Sequence, residues 1–221
     1  MTGKRFGILL CSGLMAYLVL RGIFVPMLHD EIATFFRYIH IHEIFPWFSE
    51  WSANNHYLNS LLSWVSYQLF GSSPFALRLA NLIFFPLYFY FSWRIAGLLK
   101  NPWLKYGLLI SLLFAHNFLE FFGTSRGYGM SMALLTGAIW FTMLAMKEPK
   151  PRYTVYVMLS LVLATYANLT IMNSFILITG VLVLTLIVHG EKRGIFTHTF
   201  LLLVAGIAPI VFFIKLLFRL Q

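Results

Sequence analysis

Long apolar runs, broken by short polar turns, dominate the hydrophobic pattern of this chain. A helix needs roughly 20 residues to cross a bilayer, and proline and charge end such runs at 99–102 and 147–152. The pattern predicts seven transmembrane helices, at about 6–27, 75–98, 103–121, 127–146, 153–169, 172–189 and 196–218. We therefore predict an all-α integral membrane protein in which residues 1–221 form a single transmembrane module.

The segment 29–73, between the first two predicted spans, has a different pattern. Apolar residues recur there at helical spacing in two stripes, which are Ile32, Phe35, Phe36 and Ile39, and then Leu58, Leu61, Leu62, Val65 and Leu69. A helix with one apolar face lies along the membrane interface. The pattern predicts two amphipathic interfacial helices in one large loop.

Composition excludes a soluble domain, because 60% of the residues are hydrophobic, 10% are charged and the mean hydropathy is +0.80. The single cysteine, Cys11, excludes an intrachain disulfide.

The net charge of +9 reflects basic residues in the short turns rather than a nucleic-acid surface. Most of them fall on one side of the predicted topology: Lys4, Arg5, Arg94, Lys100, Lys105, Lys147, Lys150, Arg152, Lys192 and Arg193. The positive-inside rule makes that side, with the N-terminus, cytoplasmic. We expect a multi-pass protein of the bacterial inner membrane, with loop 29–73 and any active face outside.

Five of the seven carboxylates fall in outward-facing segments: Asp30, Glu31, Glu43, Glu50 and Glu120. Acids beside a bilayer are costly unless water, a metal or a substrate uses them. Asp30 and Glu31 follow the first span directly, where a general base or a metal ligand could reach a water-facing cavity. They equally fit the start of a helix, which favours acids, and the two interpretations are compatible.

Histidines in the same loop raise the possibility of a divalent metal, although their spacing matches no metal motif. The candidate ligands are His29, His40, His42 and His56, with Glu43 and Glu50. We favour polar interfacial histidines and assign no metal ligand. His56 differs because it follows Asn55 and begins the second interfacial helix, where it can present polar groups to a cavity.

Arginines at predicted outer helix ends suggest an anionic ligand, since guanidinium binds phosphate bidentately. Arg126 lies beside two glycines that leave room for one. For Arg78, a side chain that reaches lipid headgroups is the favoured interpretation. Lys215 ends the last predicted helix on the outer side, and Glu120 could form a salt bridge with Arg126.

The order of these features resembles the N-terminal part of the GT-C superfamily of membrane glycosyltransferases, in particular the family 39-like group of protein mannosyltransferases and lipid A aminoarabinose transferases. The matching segments are Asp30-Glu31, Asn55-His56-Tyr57, Leu69-Phe70-Gly71, Phe75-Ala76-Leu77-Arg78-Leu79 and Arg126-Gly127-Tyr128. Each is short, and their order and spacing over most of the chain make the resemblance fairly specific.

The resemblance implies a sugar transfer from a polyprenyl-phosphate donor to a lipid, glycan or protein acceptor. Asp30 would activate the acceptor with inversion at the sugar carbon, Glu31 would support it, and Arg126 would hold the phosphate. The other residues expected to bind substrate are Asn55, His56, Arg78, Glu120, Tyr128 and Lys215. No cofactor is firmly implied, and a divalent metal stays open.

Two positions depart from the family pattern: Tyr57 replaces a usual proline, and Thr124 replaces an acid often found before the arginine. Family members are also longer, so the expected C-terminal part is absent. This leaves a truncated product, one half of a split enzyme with a partner subunit, or a minimal enzyme. The alternative function is a non-catalytic membrane subunit that binds polyprenyl-phosphate lipid or a partner protein.

Overall fold

The computed structural model describes residues 3–44, 55–115 and 117–189, and all regular structure in these ranges is helical. The α-helices are α1 (Gly3–Phe24), α2 (His29–Thr34), α3 (Tyr57–Phe70), α4 (Pro74–Leu82), α5 (Phe85–Ala96), α6 (Pro102–Phe114), α7 (Phe118–Phe122), α8 (Tyr128–Lys147), α9 (Pro151–Ala167) and α10 (Met172–Val188). A π-helical turn, Phe35–Ile39, continues α2, and a 3-10 turn, Leu169–Ile171, precedes α10. The prediction of an all-α chain is confirmed for these residues.

Four described segments are long and apolar enough to cross a membrane: Lys4–Phe24, Pro74–Ala96, Tyr128–Lys147 and Leu169–Val188. The chain is therefore a membrane protein by the character of its helices. The apolar helix α6 has 13 residues and α9 has 17, both shorter than the roughly 20 that a perpendicular span needs. The predicted helix at 196–218 lies outside the described residues, so the count of seven stays a prediction.

Two predicted spans are interrupted. The segment 75–98 divides into α4 and α5 just before Pro86, whose missing N–H favours the first turn of a new helix. The prediction of one continuous helix at 103–121 was wrong. Helix α6 ends where the backbone of Ala115 becomes extended, and Asn117 is left-handed with φ 74°. Asparagine tolerates this conformation better than most residues, so α7 can leave in a new direction.

Helix α3 turns its polar face toward the protein and its apolar face outward. Asn59, Ser63 and Ser66 are buried, whereas Leu69 is 69% exposed. The Ser63 hydroxyl donates to the Leu77 carbonyl at 2.9 Å, and the Ser66 hydroxyl donates to the Ala76 carbonyl at 2.5 Å. Small residues let membrane helices approach closely, so α3 packs tightly on α4. Leu58 and Leu62 also pack against the core, and only Val65 and Leu69 of the predicted stripe are exposed.

The first predicted interfacial stripe divides between two environments. Ile32 and Phe36 are exposed, but Ile39 is only 1% exposed. The π-helical turn changes the angular spacing of the side chains, because it closes each hydrogen bond one residue later than an α-helix does. The expected single apolar face on 32–39 is therefore wrong at its C-terminal end, where Tyr38 and Ile39 join the core.

Helix α8 is central and packs against α5 and α9. Small residues permit the contact with α5: a Cβ at Gly137 would lie 2.8 Å from the Phe91 ring. The N-terminal end of α8 meets the start of α3 and the end of α9, and the candidate site lies at that junction.

Candidate functional site

Asp30 and Arg126 come from distant parts of the chain and face each other across the junction. Asp30 Oδ2 lies 3.7 Å from Arg126 Nη2. The Asp30 side chain is 54% exposed, whereas the Arg126 side chain is 5% exposed. A solvent-accessible carboxylate thus lies beside a guanidinium that the protein holds in place. His29, whose Nδ1 lies 3.7 Å from the other Asp30 oxygen, is exposed.

His56 precedes α3 and is buried beside this pair. Its Nδ1 lies 2.8 Å from the Ala167 carbonyl oxygen, which can only accept, so Nδ1 carries the proton. The other ring nitrogen, Nε2, is then a hydrogen-bond acceptor, and it is buried without a partner among the described residues. Burial, and next the charge of Arg126, lower the pKa of His56 to about 4. The imidazole is therefore neutral at neutral pH.

Tyr128, the first residue of α8, lies between the histidine and the arginine. Its ring centre is 4.7 Å from that of His56, in an edge-to-face arrangement. The Arg126 guanidinium carbon lies 5.5 Å from the Tyr128 ring centre, and Arg126 Nη2 is 3.4 Å from the Tyr128 hydroxyl. These contacts orient the guanidinium toward Asp30.

Glu31 and Arg78 form a buried ion pair behind the site, with side chains that are 0% and 1% exposed. Arg78 Nε donates to Oε1 at 2.9 Å and Nη2 donates to Oε2 at 2.7 Å. The remaining guanidinium hydrogens go to carbonyl oxygens of Gly22, Val25 and Pro26. All five donors of Arg78 are engaged, so the geometry leaves none for the expected contact with a phosphate.

The same carboxylate links α2 to the turn that carries Arg126. Glu31 Oε1 accepts from the Ser125 backbone N–H at 2.5 Å, and Oε2 accepts from the Leu28 N–H at 2.8 Å. Burial alone would raise the pKa of Glu31, but the hydrogen bonds from Arg78 and these backbone groups outweigh burial and lower it. Glu31 therefore stays ionised and positions its neighbour Asp30 opposite Arg126.

Asn81, in α4, holds the turn from the other side, and the sequence did not single it out. Its amide donates to the carbonyl of Thr124 at 2.7 Å and to that of Arg126, and its oxygen accepts from the Met130 N–H at 2.9 Å. The Asn81 side chain thus fixes both the loop that carries Arg126 and the first turn of α8. A polar amide within an apolar span was the signal that could have found it.

Two other predicted site residues have partners outside the Asp30–Arg126 pair, and a third lies beyond the described ranges. Asn55 donates to the Ile44 carbonyl at 3.1 Å and accepts from Ser60 at 2.8 Å, which gives it a structural role before α3. Glu120 lies 3.4 Å from Arg21 of α1, and no contact with Arg126 is found among the described residues. Lys215 lies outside the described residues.

For a metal ion, the described ranges hold no group of three or more close His, Cys, Asp or Glu side chains. His40 instead packs against Tyr67 at 6.3 Å between ring centres, and His42 packs against Trp64 at 5.9 Å. The candidate ligand Glu50 lies outside the described part of the chain.

Comparisons with known proteins found no match for this chain among protein families, curated proteins or solved structures.

Proposed function

We propose that the protein is a membrane glycosyltransferase that uses a polyprenyl-phosphate sugar donor at the outer membrane face. One observation supports this most directly: the accessible carboxylate of Asp30 lies 3.7 Å from the buried guanidinium of Arg126. A base and a phosphate-binding cation are the two groups that such a transfer needs at one place. The family resemblance of the sequence supplies the donor class.

In the proposed reaction, a hydroxyl of the acceptor attacks the anomeric carbon of the sugar. Asp30 takes the hydroxyl proton, the new carbon–oxygen bond forms, and the bond from carbon to the phosphate oxygen breaks. The electron pair leaves with the polyprenyl phosphate, whose charge Arg126 stabilises. A single displacement of this kind inverts the configuration at the anomeric carbon.

His56 completes the proposed site as a neutral hydrogen-bond acceptor. Its Nδ1–H is committed to the Ala167 carbonyl, and Nε2 has no partner among the described residues. A hydroxyl of the sugar or of the acceptor would satisfy Nε2 once the side chains around this buried nitrogen, among them Tyr128 against the imidazole ring, move to admit it. A buried acceptor without a partner is costly, so binding such a hydroxyl would be favourable.

The decisive experiment is transfer from a panel of radiolabelled polyprenyl-phosphate sugars by the purified full chain. Asp30→Asn should lower transfer by about 10²- to 10⁴-fold, the usual contribution of a general base, and keep donor binding. Arg126→Gln should weaken donor binding as well. The matched control is Glu148→Gln, since Glu148 is an exposed acid that pairs with Lys150 after α8. Full turnover by Asp30→Asn would contradict the mechanism.

A non-catalytic module that binds polyprenyl phosphate is the second candidate. It is favoured by the same ion pair, because Asp30 and Arg126 already satisfy each other's charge without any reaction. In that case, the wild-type protein binds the donor panel and transfers no sugar to any acceptor. Binding would still depend on Arg126, so binding and transfer have to be measured in the same preparation.

A further inference from the structure

A groove of about 440 Å³ runs between α1 and α5, away from the Asp30 site. Its walls are apolar and include Ile8, Cys11, Phe89 and Trp93. The two helices meet closely at one end, where a Cβ added to Gly7 would lie 3.2 Å from the Trp93 ring. A volume of this size accommodates part of a lipid chain rather than a few water molecules.

Two cations, Lys4 and Arg94, line the groove near the start of α1 and the end of α5. Neither forms an ion pair within the described ranges, and Glu148, the acid that follows α8, is paired with Lys150 at 2.5 Å. The Arg94 guanidinium lies 4.8 Å above the Trp140 ring. That contact holds Arg94 in place and leaves its positive charge without a counter-ion.

We infer that this groove binds a diacyl phospholipid with an anionic headgroup. An acyl chain would lie against the apolar walls, and Lys4 and Arg94 would contact the headgroup phosphate. Lys105 strengthens the attraction, since its ammonium lies 5.6 Å from the Trp93 ring centre. Basic groups at membrane depth attract anionic lipids in this way.

The phosphate of the proposed donor does not explain the two cations of the groove. The span Lys4–Phe24 has 21 residues, so its two ends are about 31 Å apart at 1.5 Å per residue. Lys4 begins this helix, whereas Asp30 follows its other end. A phosphate held by Arg126 is therefore too far away to reach Lys4, and the groove is a second lipid site at the basic end of the bundle.

Trp93 provides a direct test by fluorescence quenching. The full chain is reconstituted in phosphatidylcholine vesicles that contain a small share of phosphatidylglycerol, with bromine on the acyl chains of one lipid or the other. The contribution of Trp93 is obtained by subtracting the fluorescence of Trp93→Phe from that of the wild-type protein. At equal mole fraction, brominated phosphatidylglycerol should quench Trp93 more strongly than brominated phosphatidylcholine.

Charge variants decide whether the headgroup is recognised. Lys4→Gln with Arg94→Gln should reduce the preference for phosphatidylglycerol by roughly 25-fold, about fivefold for each cation. The matched control, Lys147→Gln with Arg152→Gln, removes the same charge outside the groove and should keep the preference. Equal quenching by both lipids, or an equal loss in the control, would overturn the inference. So would displacement of phosphatidylglycerol by a trace of polyprenyl phosphate, which would make the groove a polyprenyl site.

Discussion

Adjacent acids in this protein have opposite environments. Glu31 is fully buried, and four donors surround its carboxylate. Asp30 is half-exposed and lies 3.7 Å from a single guanidinium nitrogen of Arg126. A carboxylate whose lone pairs are all used cannot accept a further proton without losing a hydrogen bond. Of these two acids, Asp30 is therefore the one whose carboxylate has room to accept a proton, and Glu31 is held in place beside it.

Replacing Glu31 with Gln should destabilise the protein by about 3–5 kcal/mol, because it leaves the Arg78 charge buried without its partner. Glu148→Gln is the matched control, since Glu148 and its partner Lys150 are both exposed and such a pair contributes within about 0.5 kcal/mol. Thermal unfolding in detergent measures both. Equal midpoints for the two variants would contradict the structural role of Glu31.

His56 should make stability depend on pH. Its pKa is about 4 in the folded protein, against an ordinary value of 6.5, so the unfolded chain binds the proton more readily. Stability is therefore complete above pH 6.5 and falls as the pH drops toward 4, by about 3 kcal/mol in all. His56→Gln, which can still donate to the Ala167 carbonyl, should lack this slope between the two pH values. The unfolding midpoint of both proteins is measured against pH. Parallel curves for the wild type and His56→Gln would contradict the role of His56.

Helices in this fold are joined by close backbone contacts at the site. The start of α8 approaches the end of α9 so closely that a Cβ on Gly127 would overlap the Ala167 carbonyl oxygen. That oxygen is also the partner of His56. The same glycine therefore permits both the helix contact and the position of the imidazole.

Gly127→Ala should destabilise the protein by more than about 2 kcal/mol, because the added methyl forces backbone apart. It should also break the His56 hydrogen bond and reduce any donor binding. Gly180→Ala is the control: no atom lies within 4 Å of its added Cβ, and alanine is favoured over glycine in a helix by roughly 1 kcal/mol. Unfolding midpoints compare the two variants, and similar losses would show that Gly127 is not closely packed.

The whole molecule has the polar junction at one end of the described spans and free cations at the other. Arg78 joins α4 to the carbonyl oxygens that end α1, so the Asp30 site is built on two spans. Lys4 lies at the start of α1 and Arg94 near the end of α5, so both lie at the opposite ends of the same two spans. The positive-inside rule predicts that the end with Lys4 and Arg94 is cytoplasmic, and this orientation stays a prediction.

The predicted orientation places the turn at Ser72 outside and the turn at Glu148 in the cytoplasm. Single cysteines at these two exposed positions, in a Cys11→Ser background, test it with a membrane-impermeant maleimide on intact bacterial cells. Ser72→Cys should react at once, and Glu148→Cys only after the membrane is permeabilised. The reverse order of reaction would show that the orientation is opposite to the predicted one. Equal reactivity would contradict the odd number of spans predicted between the two turns.

How far the residues alone predicted this structure depends on the range of the interaction. Apolar length and proline placed most helix ends within a few residues, as at Pro102 and Pro151. The left-handed Asn117 carried no such signal, so the break between α6 and α7 was missed. Long-range pairs were not predictable either: Glu120 meets Arg21 rather than Arg126.

By itself, the sequence determined the membrane character, the helical class and the candidate acids and arginines, because hydropathy and charge act locally along the chain. Only the tertiary structure decided their partners. It placed Glu31 against Arg78 as a buried support and Asp30 against Arg126 as an accessible pair. Those choices depend on which backbone segments approach within hydrogen-bond distance, and that follows from packing over the whole bundle rather than from spacing in the chain.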